Sequence, residues 1–176
     1  MGRLGFDLHG VLHPTDKQLK DWFPNMSIFI DGMEGARRII IDLFKRYLEA
    51  LGETREVWIV SGPPRLEVME ELGLLGYRRG VHYKEIASVV DFLKNEEVHM
   101  WQDDKKTWWA SSEDWWGAKA KICEKYNINV MVDDQERYGP YFTGAARFLL
   151  WHKKNQEKLL NQKSLYVETS TENGDI

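Results

Sequence analysis

Residues 130–134 read Val130-Met131-Val132-Asp133-Asp134, an apolar run that ends on two carboxylates. A short apolar run of this kind is typical of a strand buried inside a parallel sheet. Two other segments follow the same plan, since residues 3–6 lead directly into Asp7 and residues 56–60 lead into Ser61. Each of the three clearest strands in the sequence therefore ends on a polar side chain.

Between these strands, apolar residues recur at helical spacing. Helices are predicted over Met33–Leu51, from about Pro64 to Leu75, within residues 80–100, from Ser112 to Tyr126 and over Gly144–Gln162, with a further strand near Val98–Trp101. Strands that alternate with helices predict the α/β class, with a central parallel sheet and helices on both faces. Ligands of such sheets bind beyond the carboxyl ends of the strands, where the polar ends described above are expected to meet.

The length of 176 residues favours a single domain, which we predict over residues 1–163. Residues 13–32 show no clear period and are predicted to form a small insertion or a miniature cap. Residues 164–176 are polar and are predicted to form a disordered tail.

Composition excludes several classes of protein. Hydrophobic residues make up 43% of the chain, as in ordinary soluble globular proteins, and no apolar run approaches the ~20 residues that cross a bilayer. The single cysteine, Cys123, excludes an internal disulfide, and the net charge of −4 argues against binding a polyanion through bulk attraction. Asp7 also stands where a signal peptide needs an apolar stretch. We therefore expect a cytoplasmic protein without a membrane partner.

The converging carboxylates of Asp7, Asp133 and Asp134 would repel one another unless a cation were bound between them. Oxygen ligands favour a hard ion, so we predict Mg²⁺, which orients a phosphate for attack by a carboxylate. Lys119 is predicted to balance the charge of the phosphoryl group, because it lies on the apolar face of its predicted helix. Ser61 is expected to donate a hydrogen bond to a phosphoryl oxygen.

Each of these residues also has an ordinary structural interpretation. Asp7 alone can be a turn residue, and the Asp133-Asp134 pair can belong to a loop without a site. Ser61 can cap the helix that begins at the following prolines, and Lys119 can extend its ammonium group along an apolar face into solvent. Their joint occurrence at the strand ends favours the site over these separate explanations.

Four segments in chain order resemble the motifs of the haloacid dehalogenase superfamily of phosphatases. They are Phe6-Asp7-Leu8-His9-Gly10-Val11-Leu12, Val57-Trp58-Ile59-Val60-Ser61-Gly62, Lys119-Ala120-Lys121-Ile122-Cys123 and Val130-Met131-Val132-Asp133-Asp134. The resemblance covers residues 4–134 and implies a Rossmann-like three-layer sandwich with a minimal or absent cap. It also implies a magnesium-dependent phosphatase that hydrolyses a phosphomonoester.

By this resemblance, Asp7 is the nucleophile that forms an aspartyl-phosphate, and Ser61 and Lys119 hold the phosphoryl group. The implied magnesium ligands are the Asp7 carboxylate, the backbone carbonyl of His9, Asp134 and, as a neighbouring or outer ligand, Asp133. The superfamily usually carries a second aspartate in place of His9, which protonates the leaving group and then activates water. We hypothesise that His9 performs this acid–base work, since histidine can donate and accept a proton near neutral pH. The alternative is a catalytically impaired binding protein on the same fold.

The substrate is less narrowly defined by the sequence. Residues 30–36, 60–64 and 132–134 look most like the 5′(3′)-deoxyribonucleotidase-type branch of the superfamily, which implies a nucleotide or a nucleic-acid end as substrate. Five of the eight tryptophans lie between Trp101 and Trp116. They can stack on nucleobases, although packing in a core or an interface is the more common use of tryptophan. A phosphotransferase or a dehalogenase is a third option, and the paired aspartates argue against a dehalogenase.

Overall fold

A parallel sheet lies at the centre of the computed structural model, which describes residues 2–160. The strands, in chain order, are β1 (Arg3–Phe6), β2 (Glu56–Ser61), β3 (Glu85–Ser88), β4 (Trp101–Gln102), β5 (Trp108–Trp109), β6 (Ile128–Asp133) and β7 (Arg147–Leu150). Five of them form the sheet in the order β3-β2-β1-β6-β7, and every neighbouring pair is parallel. β4 and β5 form a separate antiparallel hairpin.

Helices connect the strands and cover both faces of the sheet. They are α1 (Asp16–Trp22), α2 (Gly32–Gly52), α3 (Arg65–Leu74), α4 (Val89–Asn95), α5 (Ser112–Lys125) and α6 (Lys153–Leu160). Helices α2, α3 and α5 match three of the predicted helices, and the predicted α/β Rossmann-like class is confirmed. Within the described residues, no helix is both long and apolar enough to cross a bilayer.

Two apolar clusters, one on each face of the sheet, hold these layers together. Phe6 packs in the same cluster as Ile40 and Phe44 of α2, while Met131 belongs to the cluster that contains Ile122 of α5. Neighbouring residues of a strand point to opposite faces of the sheet, so a continuous apolar strand contributes side chains to both clusters. Each fully buried side chain of this size stabilises the fold by about 1.5–3 kcal/mol.

The register of the sheet aligns the ends of its three central strands. Phe6 of β1 pairs with Ile59 of β2 and with Val132 of β6. The backbone N–H of the next residue, Asp7, donates to the carbonyl of Val132 at 2.9 Å. Polar residues that follow these three strands must therefore lie at one edge of the sheet.

The predicted helix over Gly144–Gln162 is wrong. Its first half contains strand β7, which pairs with β6 at the edge of the sheet, and within the described residues of this interval, 144–160, only Lys153–Leu160 is helical. The apolar run 148–151 is too short for its period to separate a helix from a strand. The backbone N–H of Trp151 continues the pairing by donating to the carbonyl of Asp133 at 2.7 Å.

The interval 80–100 also differs from the prediction. Its strand is β3, not a segment near Val98–Trp101, and Trp101 belongs to the β4–β5 hairpin. β3 is a four-residue strand with polar residues at both ends. Its extended conformation is stabilised by pairing with β2 and is not indicated by an apolar pattern of its own. The predicted helix of this interval is α4.

The insertion over residues 13–32 folds locally. It contains α1 and a short 3₁₀ helix over Met26–Ile28, followed by the start of α2. Thr15 begins α1 with a capping box, in which its hydroxyl accepts from the backbone of Gln18 and the Gln18 side chain accepts from the backbone of Thr15. The predicted tail, residues 164–176, lies outside the described residues.

Candidate active site

Three carboxylates meet at the carboxyl edge of the sheet. Asp7 follows β1, Asp133 ends β6 and Asp134 follows it, and each offers a carboxylate oxygen within 4.8 Å of the others. We call these three residues the acidic cluster. Asp7 and Asp133 are buried, so little water is present to screen their mutual repulsion. The convergence predicted from the strand ends is therefore present in the structure.

Lys119 reaches this cluster from α5. Its side chain is only 1% exposed, and its Nζ lies 2.5 Å from an oxygen of Asp133 and 3.1 Å from an oxygen of Asp7. The ammonium also lies 4.5 Å from the ring centre of Tyr138, a favourable cation–π contact. The alternative in which Lys119 extends into solvent is wrong, because its charge is buried among these groups.

The charges of the cluster shift the pKa values of its members. Burial acts to lower the pKa of Lys119, but the carboxylates of Asp133 and Asp7 outweigh it and raise the pKa. Burial raises the pKa of Asp133 to about 6, although the positive charge of Lys119 opposes this shift. The pKa of Asp134 is also raised, mainly by burial and then by the negative charge of Asp7. One ammonium does not balance three carboxylates, so the site favours a further cation.

Asp134 presents a carboxylate oxygen that accepts no hydrogen bond from the described residues. Its Oδ1 is buried without a hydrogen-bond partner among residues 2–160, whereas its Oδ2 accepts from the amides of Gln135 at 3.1 Å and Gln18 at 3.4 Å. An unpaired buried acceptor costs about 1–3 kcal/mol, which a bound cation would offset. Oxygen-only donors around a free carboxylate oxygen fit a hard divalent cation such as Mg²⁺.

Gly10 allows the loop after Asp7 to approach Asp134. Its φ is +84°, and a Cβ placed there would lie 2.2 Å from the Asp134 carboxylate. Only glycine meets both conditions, because other residues disfavour this φ and carry the clashing atom. Gly10 therefore keeps the first loop close to the acidic cluster.

Ser61 lies at the end of β2 with a buried hydroxyl. The residue is fully buried, and its Oγ finds no hydrogen-bond partner in the described part of the chain. The alternative of a helix cap is wrong, because the residue at the N-cap of α3 is Pro64. Ser88, at the corresponding end of β3, differs from Ser61 because it does cap a helix. Its side-chain oxygen accepts a hydrogen bond from the backbone N–H of Asp91 in α4 at 3.1 Å. Ser61 instead retains a hydroxyl free for a ligand.

His9 lies beside the acidic cluster but contacts a different partner. Its Nε2 lies 2.8 Å from Oε2 of Glu71 on α3, and the other oxygen of Glu71 lies 2.6 Å from Nδ1 of His13. The hydrogen bond to Glu71 raises the pKa of His9 more than burial lowers it. Burial acts to raise the pKa of Glu71, but hydrogen bonds from His13 and His9 lower it to about 2. Sequence reasoning did not identify Glu71 or His13 as part of this group.

Two tryptophan rings lie in a row that starts next to the site. A Cβ on Gly62, the residue after Ser61, would lie 3.5 Å from the ring of Trp115. The ring of Trp109 follows, with its centre 5.6 Å from that of Trp115, and 39% of Trp109 is exposed. We call Trp109 and Trp115 the tryptophan wall. Trp108, by contrast, packs under Lys94 at 3.7 Å.

No protein-family model matches the chain, and no curated protein is significantly similar to it.

Proposed function

We propose that this protein is a magnesium-dependent phosphomonoesterase of the haloacid dehalogenase type, with Asp7 as its nucleophile. One observation carries the proposal: Asp7, Asp134 and the buried Lys119 meet at the sheet edge where β2 ends on Ser61, whose hydroxyl has no hydrogen-bond partner among the described residues. A metal site, a carboxylate nucleophile and two donors for phosphoryl oxygens are the parts that this reaction requires.

Asp7, Asp134 and the backbone carbonyl of His9 are proposed to hold Mg²⁺. When bound, the ion neutralises the charge of the substrate phosphate and the repulsion between the carboxylates. Asp133 is proposed to position Lys119 rather than to bind the ion directly. Both of its oxygens are engaged, one by Lys119 at 2.5 Å and the other by the backbone N–H of Gln135 at 2.8 Å.

In the proposed reaction, a carboxylate oxygen of Asp7 attacks phosphorus and the ester P–O bond breaks. The departing alcohol gains a proton, and the phosphoryl group remains on Asp7 as an aspartyl-phosphate. Lys119 lies 3.1 Å from the Asp7 carboxylate and can donate to a phosphoryl oxygen there, as can the free hydroxyl of Ser61. Attack by water on phosphorus then releases inorganic phosphate and regenerates the Asp7 carboxylate.

His9 is proposed to supply the proton to the leaving group. We expect His9→Ala to lower turnover by about 10²–10⁴-fold, the usual contribution of general acid–base catalysis. His9→Asp restores the carboxylic acid found in the superfamily and should retain far more activity than His9→Ala. The measurement is phosphate release from one substrate by the three proteins. Equal turnover of His9→Ala and wild type from about pH 5 to 9 would remove His9 from the mechanism.

The substrate is proposed to be a nucleotide or the phosphorylated end of a nucleic acid. The tryptophan wall offers an exposed aromatic surface that begins at Gly62, next to the proposed phosphate site. Stacking of one base on an aromatic side chain contributes about 1–3 kcal/mol. We therefore expect kcat/KM for a nucleoside 5′-monophosphate to exceed that for ribose 5-phosphate by roughly 5- to 150-fold.

Trp109→Ala should remove most of this preference while leaving the rate on ribose 5-phosphate unchanged. Trp108→Ala is the matched control, because its ring packs under Lys94 and is separate from the tryptophan wall. The screen also includes 5′- and 3′-phosphorylated oligonucleotides and sugar phosphates. A general preference for sugar phosphates, unaffected by Trp109→Ala, would contradict the nucleotide assignment.

A further inference from the structure

A second cluster of ligand-type side chains lies next to the acidic cluster. His9, His13 and Glu71 each offer one ligand atom, a ring nitrogen or a carboxylate oxygen, and these three atoms lie within 4.8 Å of one another. The two oxygens of Glu71 bridge the rings, at 2.8 Å from His9 and 2.6 Å from His13. We call these three residues the histidine–glutamate cluster.

The loop that carries both histidines is held in place by its own hydrogen bonds. The backbone N–H of His13 donates to the carbonyl of Leu8 at 2.8 Å, and that of Gly10 donates to the carbonyl of His13 at 2.9 Å. The hydroxyl of Tyr77, which follows α3, donates to the carbonyl of Leu12 at 2.9 Å. The loop is thus fixed to the helix that supplies Glu71, and a ligand of the cluster need not order the backbone.

The donor set differs in kind from that of the acidic cluster. Two imidazole nitrogens and one carboxylate form a ligand set found in zinc proteins, whereas oxygen-only sites favour magnesium. Ligand atoms of a tetrahedral zinc site with bonds of about 2.0–2.1 Å lie about 3.4 Å apart. The ligand atoms of the cluster, which lie within 4.8 Å of one another, would move closer together to reach this spacing. The cluster is also open to solvent, since the His9 side chain is 45% exposed, so water can complete the coordination.

We propose that the side chains of His9, His13 and Glu71 bind one Zn²⁺ ion at a site that shares no donor atom with the proposed magnesium site, to which His9 contributes only its backbone carbonyl. The His9 ring would then be a metal ligand and could not become the imidazolium that gives a proton to the leaving group. Zinc is therefore expected to inhibit hydrolysis while Mg²⁺ remains bound, a consequence that rests on the proposed function. Zinc binding itself does not depend on phosphatase activity.

The test is a calorimetric titration of the full-length, metal-stripped protein with Zn²⁺ in the presence of excess Mg²⁺. We expect wild type to bind one equivalent, and His13→Gln and Glu71→Gln to bind it at least ~10–100-fold more weakly, since even outer-shell changes cost that much. His99→Gln, at an exposed histidine outside the cluster, and Asp134→Asn, in the acidic cluster, should keep wild-type zinc affinity. Circular dichroism checks that each variant is folded.

Co²⁺ serves as a second probe, because its visible absorption is stronger in a four-coordinate site than in its octahedral water shell. This absorption should decrease in the same two variants. Unchanged Zn²⁺ affinity in His13→Gln and Glu71→Gln would overturn the proposal. Loss of zinc binding in Asp134→Asn would also overturn it, because the ion would then belong to the acidic cluster. Phosphate release by wild type with Mg²⁺ alone is measured separately, so failure of the zinc site and failure of the proposed hydrolase are distinguishable.

Discussion

Asp7→Asn is expected to lower phosphate release by roughly 10⁴- to 10⁶-fold, the scale of losing a covalent nucleophile. The amide cannot attack phosphorus and is a weaker ligand for a divalent cation. The fold should tolerate the change, because asparagine has nearly the same shape and its side-chain oxygen can still accept from the backbone N–H of Leu8, as Asp7 does at 2.8 Å. The measurement is phosphate release from an aryl phosphate with Mg²⁺.

Asp42→Asn is the matched control, since this aspartate is exposed on α2 and pairs only loosely with Lys45 at 3.3 Å. It should retain wild-type turnover. Chelation of Mg²⁺ should abolish phosphate release by the wild-type protein as completely as Asp7→Asn does. If Asp7→Asn hydrolysed the substrate at the wild-type rate, Asp7 would not be the nucleophile. If wild type released no phosphate from any substrate, the non-catalytic alternative would replace the proposed enzyme.

Lys119→Met is expected to lower the free energy of unfolding by about 3–5 kcal/mol, the scale for removing one partner of a buried ion pair. The ammonium is 1% exposed and contacts both Asp7 and Asp133, so its removal leaves two buried carboxylates without a cation. Methionine keeps the length and apolar stem of lysine, so the loss reports charge rather than a cavity. Urea unfolding in the presence of a chelator measures the effect.

Lys121→Met is the control for this variant, because Lys121 is exposed on the same helix. It should change the free energy of unfolding by no more than about 0.5 kcal/mol. Mg²⁺ should recover part of the stability lost in Lys119→Met, since it binds only the folded state and supplies positive charge to the same carboxylates. Equal stability of the two methionine variants would show that Lys119 does not stabilise the acidic cluster.

The strand ends were predictable because they depend on a local pattern. Asp7, Ser61 and Asp133 each follow a short apolar run, and parallel strands place their carboxyl ends at one edge whatever the lengths of the connections. Lys119 was predictable for a related reason, since its place on the apolar face of α5 left its charge in need of partners. Period and polarity alone therefore identified the acidic cluster and its lysine.

The parts that escaped prediction depend on contacts distant in sequence. Strand β7 takes its conformation from pairing with β6, and β3 takes it from pairing with β2. The link between His9 and Glu71 spans 62 positions and requires α3 to pack over the first loop. The spacing of four residues between His9 and His13 was the one local signal, and it does not identify a carboxylate partner on another element.

The proposed reaction requires Asp7 and Asp134 to share one divalent ion while Asp7 remains able to bond to phosphorus. The most direct measurement is a crystal structure of the wild-type protein with Mg²⁺ and beryllofluoride, a mimic of the phosphoryl group. We predict the ion between the carboxylates of Asp7 and Asp134, and beryllofluoride attached to Asp7 within reach of Lys119 and Ser61. An acidic cluster without an ion, or beryllofluoride bound away from Asp7, would contradict the account.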